Sequence, residues 1–289
     1  MSFQKNKNEM YMMPANFGPC VSPRRRGDGK RFLGDGPIKS NRYITVAALE
    51  DPEQVEALLP EGMSLIAPFM IVGVDYLTEI PWLGKKQYAL IIVNFPVCLR
   101  SDEGPMYGQY MGAIWENHVD PIITGREQLG FAKVFCEISD PVVDGSKVTI
   151  TASEYGNKFL ELTFDSNKLP QNPVVFDAVM KSKSEGMFHY KHMTNSAAPY
   201  FGADVDYIAF TPTEFDIPSD YEVKPMNGME ITPGYSDFKI NSLSWEESPA
   251  HHHKIQTLSE IKIKGCIGGV HMKSETVNDI YNQRIVKKY

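Results

Sequence analysis

The alternation of apolar and polar positions along this chain predicts a succession of strands with few helices. Residues 42–49 are rich in β-forming side chains and read as a strand. Asp51-Pro52-Glu53-Gln54 then supplies an N-cap, a proline at the first helical position and a box-like Gln54 three residues on. Val55, Leu58 and Leu59 form one apolar face of this short helix, and Pro60 stops it. The runs at 65–77, 88–99 and 107–116 are nearly continuously apolar, the pattern of strands buried on both faces. Asp144-Gly145 between the β-rich residues 142–143 and 147–153 predicts a hairpin. Residues 158–164 alternate more cleanly, so one face of that strand meets solvent.

Residues 172–180 read as a loop or short helix. Further strands are expected at 188–193, 205–211, 237–245 and 258–270, and a C-terminal helix over 274–289 with Val277, Ile280, Tyr281 and Ile285 on one side. Residues 1–38 hold Pro14, Pro23, Pro37 and several glycines, and read as an extended N-terminal arm. Its Arg24-Arg25-Arg26 cluster suits a solvated or subunit-contacting face, or a grip on phosphate. The fold class expected is mainly β (β-rich α+β), one barrel or sandwich domain over 39–289, with no internal repeat and no domain linker.

Composition narrows the partners. A net charge of -7 and a pI near 5.6 argue against nucleic acid. Four cysteines without CxxC pairing match a reducing, cytoplasmic setting rather than a disulfide or zinc framework. No signal peptide pattern opens the chain, and the longest apolar run, 88–99, carries Asn94 and is too short for a bilayer, so no membrane partner is expected.

Most candidate motifs lack the residues their chemistry needs. In His251-His252-His253 consecutive side chains on an extended chain point to alternate sides, and no carboxylates or thiols at ligand spacing complete a site, so no metal is expected. His189 and His192 fall on opposite faces of a strand. Gly27-Asp28-Gly29-Lys30 lacks the spacer and the ending of a phosphate loop. Gly265-Cys266-Ile267-Gly268-Gly269 suits a β-bulge or close backbone contact better than a dinucleotide site. There is no nucleophile elbow and no zinc-protease helix, and no cofactor is expected.

That leaves Lys133. Leu129, Phe131, Ala132, Val134 and Phe135 surround its amine with apolar neighbours. Burial there disfavours the charged form and leaves a nucleophile able to condense with a ketone; the other reading is a lysine snorkelling its amine to the surface. Gly125-Arg126-Glu127, five residues, then Lys133 resembles the signature of the acetoacetate decarboxylase superfamily, in which a Gly-Arg-Glu tripeptide precedes an aromatic, usually a proline, and the Schiff-base lysine. Phe131 matches the aromatic, Ala132 stands where proline is usual, and Lys133 matches the nucleophile. Asn41-Arg42-Tyr43, residues 51–62, Pro96-Val97, Tyr110, Pro121 and Ile122 also fall near the family's spacings, so the resemblance covers about residues 38–270.

The resemblance implies an antiparallel β-barrel with further strands around it and a homo-oligomer, the N-terminal arm and C-terminal helix packing between subunits. It implies a Schiff-base lyase that decarboxylates a small β-keto acid through an imine on Lys133, with Arg42 near the substrate carboxylate. Phe131, Tyr110, Trp115 and Tyr235 are candidates for the substrate pocket, a structural role being the other reading for the last three. Arg126 and Glu127 would hold the loop. Two departures stand out: Val134 replaces the family's second lysine, and its two acidic pocket residues align with Gly73 and Leu90, leaving Asp75 or Glu79 to supply a carboxylate. Such changes resemble a branch that keeps the lysine and performs aldol or dehydration chemistry on pyruvate-like keto acids; a non-catalytic binder of small acids is the third reading.

Overall fold

A computed structural model of the chain describes residues 11–13, 20–30, 32, 36–101, 104–181, 184–197, 202–213, 228–276 and 282–289. In the N-terminal arm β1 (Tyr11–Met12) pairs antiparallel with β2 (Cys20–Val21). The central run is β3 (Ile38–Leu49), α1 (Pro52–Glu56), β4 (Met63–Leu65), β5 (Phe69–Ile80), β6 (Lys86–Ser101) and β7 (Gly104–Glu116). A helix α2 (Val119–Thr124) continues into a π-helical turn (Gly125–Leu129) and then β8 (Lys133–Phe135). After these come β9 (Glu137–Ile138), β10 (Val142–Asp144), β11 (Lys147–Glu154), β12 (Asn157–Asp165) and α3 (Pro173–Lys181). The rest is β13 (Gly186–Thr194), β14 (Ala203–Pro212), β15 (Glu230–Ile240), α4 (His252–Ser259), β16 (Ile263–Thr276) and β17 (Arg284–Lys288).

The protein is mainly β, but the barrel expectation is not met. The main sheet runs β10-β11-β12-β15-β16-β3-β5-β6-β7-β13-β14-β17, and that path does not close. Its end strands β10 and β17 each have one neighbour among the described residues. The sheet nevertheless curls around one large core. Val74, Val93 and Trp115 of the central strands share it with Leu162 of β12 and Phe210 of β14, which lie far apart in the strand order. Side-chain alternation puts the opposite face of β3, β5, β6 and β7 outside that core. Two smaller clusters cover this second face: Val46, Phe176, Ile267 and Val270 under α3, and Met111, Ile114, Leu129 and Phe131 under the segment after α2.

Several expectations needed correction. No C-terminal helix occurs among the described residues: β16 extends to Thr276 and β17 pairs with β14, while Val277, Ile280 and Tyr281 lie outside the described residues. Ile285, the described member of that apolar set, is taken into the sheet opposite Ala209. The strand at 65–77 is two strands, parted around Pro68, which has no N–H for a ladder. The capping box does not form, because Gln54 Oε1 accepts from Lys262 N at 3.0 Å instead. Residues 258–259 close α4 rather than open a strand, and Trp245 lies in the turn after β15. The glycines at 265 and 268 sit at φ of 143° and 155°, and the β16–β3 register shifts at both places, as bulges require.

Candidate active site

Lys133 is placed by a close-packed turn. Gly130 takes φ of 77° and closes the π-helical turn by donating its N–H to Gly125 O, which also accepts from Phe131 N at 3.0 Å. A Cβ at Gly125 would lie 2.5–2.9 Å from Cδ, Cε and Nζ of Lys133, so any larger residue there pushes the lysine side chain aside. Arg126 Nη1 donates to Lys133 O at 2.9 Å. The Phe131 ring stacks on His189 with centroids 4.1 Å apart, and the Lys133 amine lies 5.6 Å from its centre. Gly125→Ala is therefore expected to displace the amine and remove most labelling of Lys133 by keto acid and borohydride, read by peptide mass, while the main core stays folded.

The short parallel pairing of β8 with β7 decides what the amine meets. Lys133 registers with Ile114, so Glu116, two residues on, shares its face. Lys133 Nζ lies 2.7 Å from Glu116 Oε1 and donates to Pro121 O at 3.2 Å. Lys133 is 5% exposed and Glu116 0%. Burial lowers the Lys133 pKa, an effect opposed by Glu116 and reinforced by the nearby charge of Arg24. Burial likewise raises the Glu116 carboxyl, against the pull of Lys133 and then Arg24. Both shifts move the pair toward its neutral form. Val134 points the other way, into the main core, so an apolar residue suits it.

The N-terminal arm lies against this loop. Met13 N donates to Glu127 Oε2 at 3.1 Å, Ser22 Oγ to Gln128 Oε1 at 2.7 Å, and Arg24 Nε to Thr124 Oγ1 at 2.9 Å. Arg24 is 4% exposed and its guanidinium covers the Trp82 ring at 4.0 Å. The solvated-face expectation for the arginine cluster thus fails at Arg24, although Arg26 is exposed and pairs with Asp28. Lys191 Nζ donates to Glu127 O at 2.8 Å from β13.

Arg42 occupies the same sheet face, three strands from Glu116 and four from Lys133. The register rows Arg42–Asp75–Leu90–Glu116 and Ile44–Gly73–Ile92–Ile114–Lys133 run across β3, β5, β6, β7 and, in the second row, β8. Arg42 Nε donates to Asp75 Oδ2 at 2.9 Å with Nη2 on the same oxygen, and Ser40 Oγ donates to Asp75 Oδ1 at 2.6 Å. A cleft of about 220 Å³ opens here, lined by Arg42 and Asp75 and floored by Gly73, Leu90 and Ile92. The amine is not among the lining groups; its link to the cleft is Leu90, which lines it and pairs across strands with Glu116, the partner of the amine.

Three pocket candidates lie elsewhere. Trp115 is in the main core on the opposite face of β7, donating from Nε1 to Glu154 Oε1 at 3.0 Å, with Lys254 Nζ 4.1 Å from its ring. Tyr110 packs on that same core, because a bulge at Gly112 sets Met111 rather than Tyr110 on the lysine face. Tyr235 sits on β15, exposed, beside Lys168 at 5.7 Å. No group of three or more potential metal ligands occurs among the described residues; His251 Nδ1 is 3.1 Å from the Glu154 carboxylate, and His252 opens α4. Sequence reasoning missed Glu116 and Arg24. The one available signal for Glu116 was a carboxylate ending an otherwise apolar strand.

Comparisons with known proteins agree with this fold. No curated protein matches the sequence. The acetoacetate decarboxylase of Legionella pneumophila subsp. pneumophila str. Philadelphia 1 superposes with a TM-score of 0.61 at 16% identity, over 88% of each chain. An acetoacetate decarboxylase-like enzyme from Sphingomonas wittichii RW1 gives 0.60 at 11% identity, over 88% of this chain and 93% of its own. The enduracididine biosynthesis enzyme MppR, complexed with the condensation product of pyruvate and imidazole 4-carboxaldehyde, gives 0.59 at 15%, over 96% of this chain and 100% of its own. The acetoacetate decarboxylase (ADC) family matches residues 21–214, more than half of the sequence, and this chain belongs to that family.

Proposed function

We propose that this protein is a Schiff-base-forming lyase that decarboxylates a small β-keto acid through an imine on Lys133. The observation that carries this reading is the buried Lys133–Glu116 pair, whose shifts both favour a free amine. A solvated lysine is neutral less than about once in a thousand at pH 7. Here desolvation lowers that barrier and Arg24 supplies a neighbouring cation, the two means by which acetoacetate decarboxylases are known to activate a lysine. The amine attacks the ketone carbon. Glu116, holding the proton, gives it to the departing hydroxyl, which leaves as water. The protonated imine then accepts the electron pair of the breaking carbon–carbon bond as CO2 leaves. Protonation of the enamine carbon and addition of water release the ketone and restore the lysine. Arg42, already set by Asp75, is the group for the substrate carboxylate. Arg126 and Glu127 hold the loop.

A second reading is favoured by the apolar Gly73 and Leu90 in the cleft floor, where the family's decarboxylases are expected to carry acids. With pyruvate, the same imine gives an enamine that attacks an aldehyde, in keeping with the condensation product bound to MppR. Treatment with acetoacetate or pyruvate and borohydride should add a stable mass to the peptide containing Lys133. Headspace CO2 separates the two chemistries, since only decarboxylation releases it. Absence of any adduct, with ligand binding preserved in Lys133→Arg, would instead identify a non-catalytic binder. The free cysteines support a cytoplasmic setting, and light scattering reads whether the chain is a homo-oligomer.

The arm gives a pH test. Arg24 disfavours the ammonium form of Lys133, so Arg24→Gln raises the lysine pKa. The rising limb of imine formation moves to higher pH, and the rate at pH 7 falls by roughly tenfold. An unchanged pH profile in a folded Arg24→Gln chain would remove Arg24 from the mechanism.

A further inference from the structure

The cleft at Arg42 and Asp75 has room for more than a three- or four-carbon acid. Its charged end is the Arg42–Asp75 row. Four residues further along the strands, about 13 Å at the usual rise, the Val46–Ile71–Asn94 row closes its other end. Between them the floor is apolar, Ile44, Gly73 and Ile92, and Met180 of α3 lies over the groove. Asn94 is the polar break in the apolar run of β6. Its Oδ1 is buried and accepts no hydrogen bond among the described residues. Gln109, brought to the same face by the bulge at Gly112, also lines this end.

A buried acceptor without a partner is costly in an unliganded protein and is repaired by a ligand that donates to it. A carboxylate at that end would meet the Asn94 oxygen with like polarity, so the missing partner is an O–H or N–H group. We propose that the Asn94–Gln109 end of the cleft is the subsite for the tail of an extended oxo acid, whose far end carries a neutral hydroxyl or amide donor. Roughly six atoms between carboxylate and donor span the groove once the side chains at each end are allowed for. The carboxylate sits on Arg42 and the tail lies over Gly73, with the ketone on the side of Leu90, whose cross-strand partner Glu116 holds the Lys133 amine. This assignment rests on the imine reading for its ketone, and on the cleft alone for its tail.

The test uses the full chain and two pairs of probes. Octanoate and 8-hydroxyoctanoate, which form no imine, are titrated by calorimetry. The corresponding eight-carbon 3-oxo acids, ending in methyl or hydroxyl, are trapped on Lys133 with borohydride, and half-saturation is read from peptide mass. The natural chain should favour the hydroxyl-ended member of each pair about tenfold relative to Asn94→Leu, and Asn94→Asp, which keeps an acceptor, should retain the preference. Equal preference in the natural chain and Asn94→Leu overturns the subsite. If the saturated acids show the preference and Lys133 is never trapped, the imine reading fails and the subsite stands. If Lys133 is trapped and neither pair shows the preference, the imine reading stands and the subsite fails.

Discussion

Lys133→Met is expected to lose the borohydride-trappable adduct and to slow turnover by about a thousandfold or more, because it removes the amine on which the imine, the reaction's electron sink, forms. The same variant reports the charge state of the buried pair. Removing one member of an ionised buried pair strands a charge and costs about 3–5 kcal/mol. Removing one member of a neutral pair costs little more than a hydrogen bond, about 1 kcal/mol. Burial is the first cause of the shift in both Lys133 and Glu116, and it drives both toward neutrality. A melting temperature lowered by only about 2–4 °C is therefore expected. A drop of about 10 °C would show that the resting pair is ionic and that substrate must neutralise it.

Glu116→Gln is expected to reduce turnover by roughly a hundredfold to ten-thousandfold, the usual contribution of a positioned proton carrier. Glutamine fills the same space and still accepts a hydrogen bond from the amine, but it cannot take the proton or return it to the carbinolamine. The sign of the pH effect is distinctive. Glu116 raises the Lys133 pKa, whereas Arg24 lowers it. Loss of the carboxylate thus lowers the lysine pKa further and moves the rising limb of imine formation to lower pH, even as the maximum rate falls. Arg24→Gln moves that limb the opposite way. Stopped-flow imine formation against pH checks both, and shifts in the same direction would contradict the placement of the amine between these two groups.

The lysine was legible because its signal is local. A glycine for close approach, an arginine for the loop and apolar neighbours around one amine all fall within nine residues. The hairpin at Asp144-Gly145 and the long apolar strands were legible for the same reason, since turn chemistry and run length are properties of short segments. Tyr110 is set on the core side by a feature without a sequence signature strong enough to find it. One extra residue at Gly112 reverses the facing of β7 before it, so Tyr110 enters the core while Gln109 turns to the cleft, whereas Trp115, between Ile114 and Glu116, faces the core by simple alternation.

The missing second lysine also takes on a different meaning. Successive residues of a strand point to opposite faces, so Val134 belongs to the core whatever Lys133 does. The cation and the carboxylate nearest the amine come instead from Arg24, more than a hundred residues before it, and from Glu116 on the neighbouring strand.

Sequence alone determined that the chain is rich in strands, which family its lysine segment resembles and which amine is the candidate nucleophile. Only the tertiary structure decided which carboxylate lies beside that amine, the neighbouring charge, the open path of the sheet among the described residues and the groove running to Asn94. Amine chemistry depends on residue type and local apolarity, which a short segment carries. A pKa depends on burial and on charges within a few ångströms, and those are set by strand register and by an arm folding back across the loop.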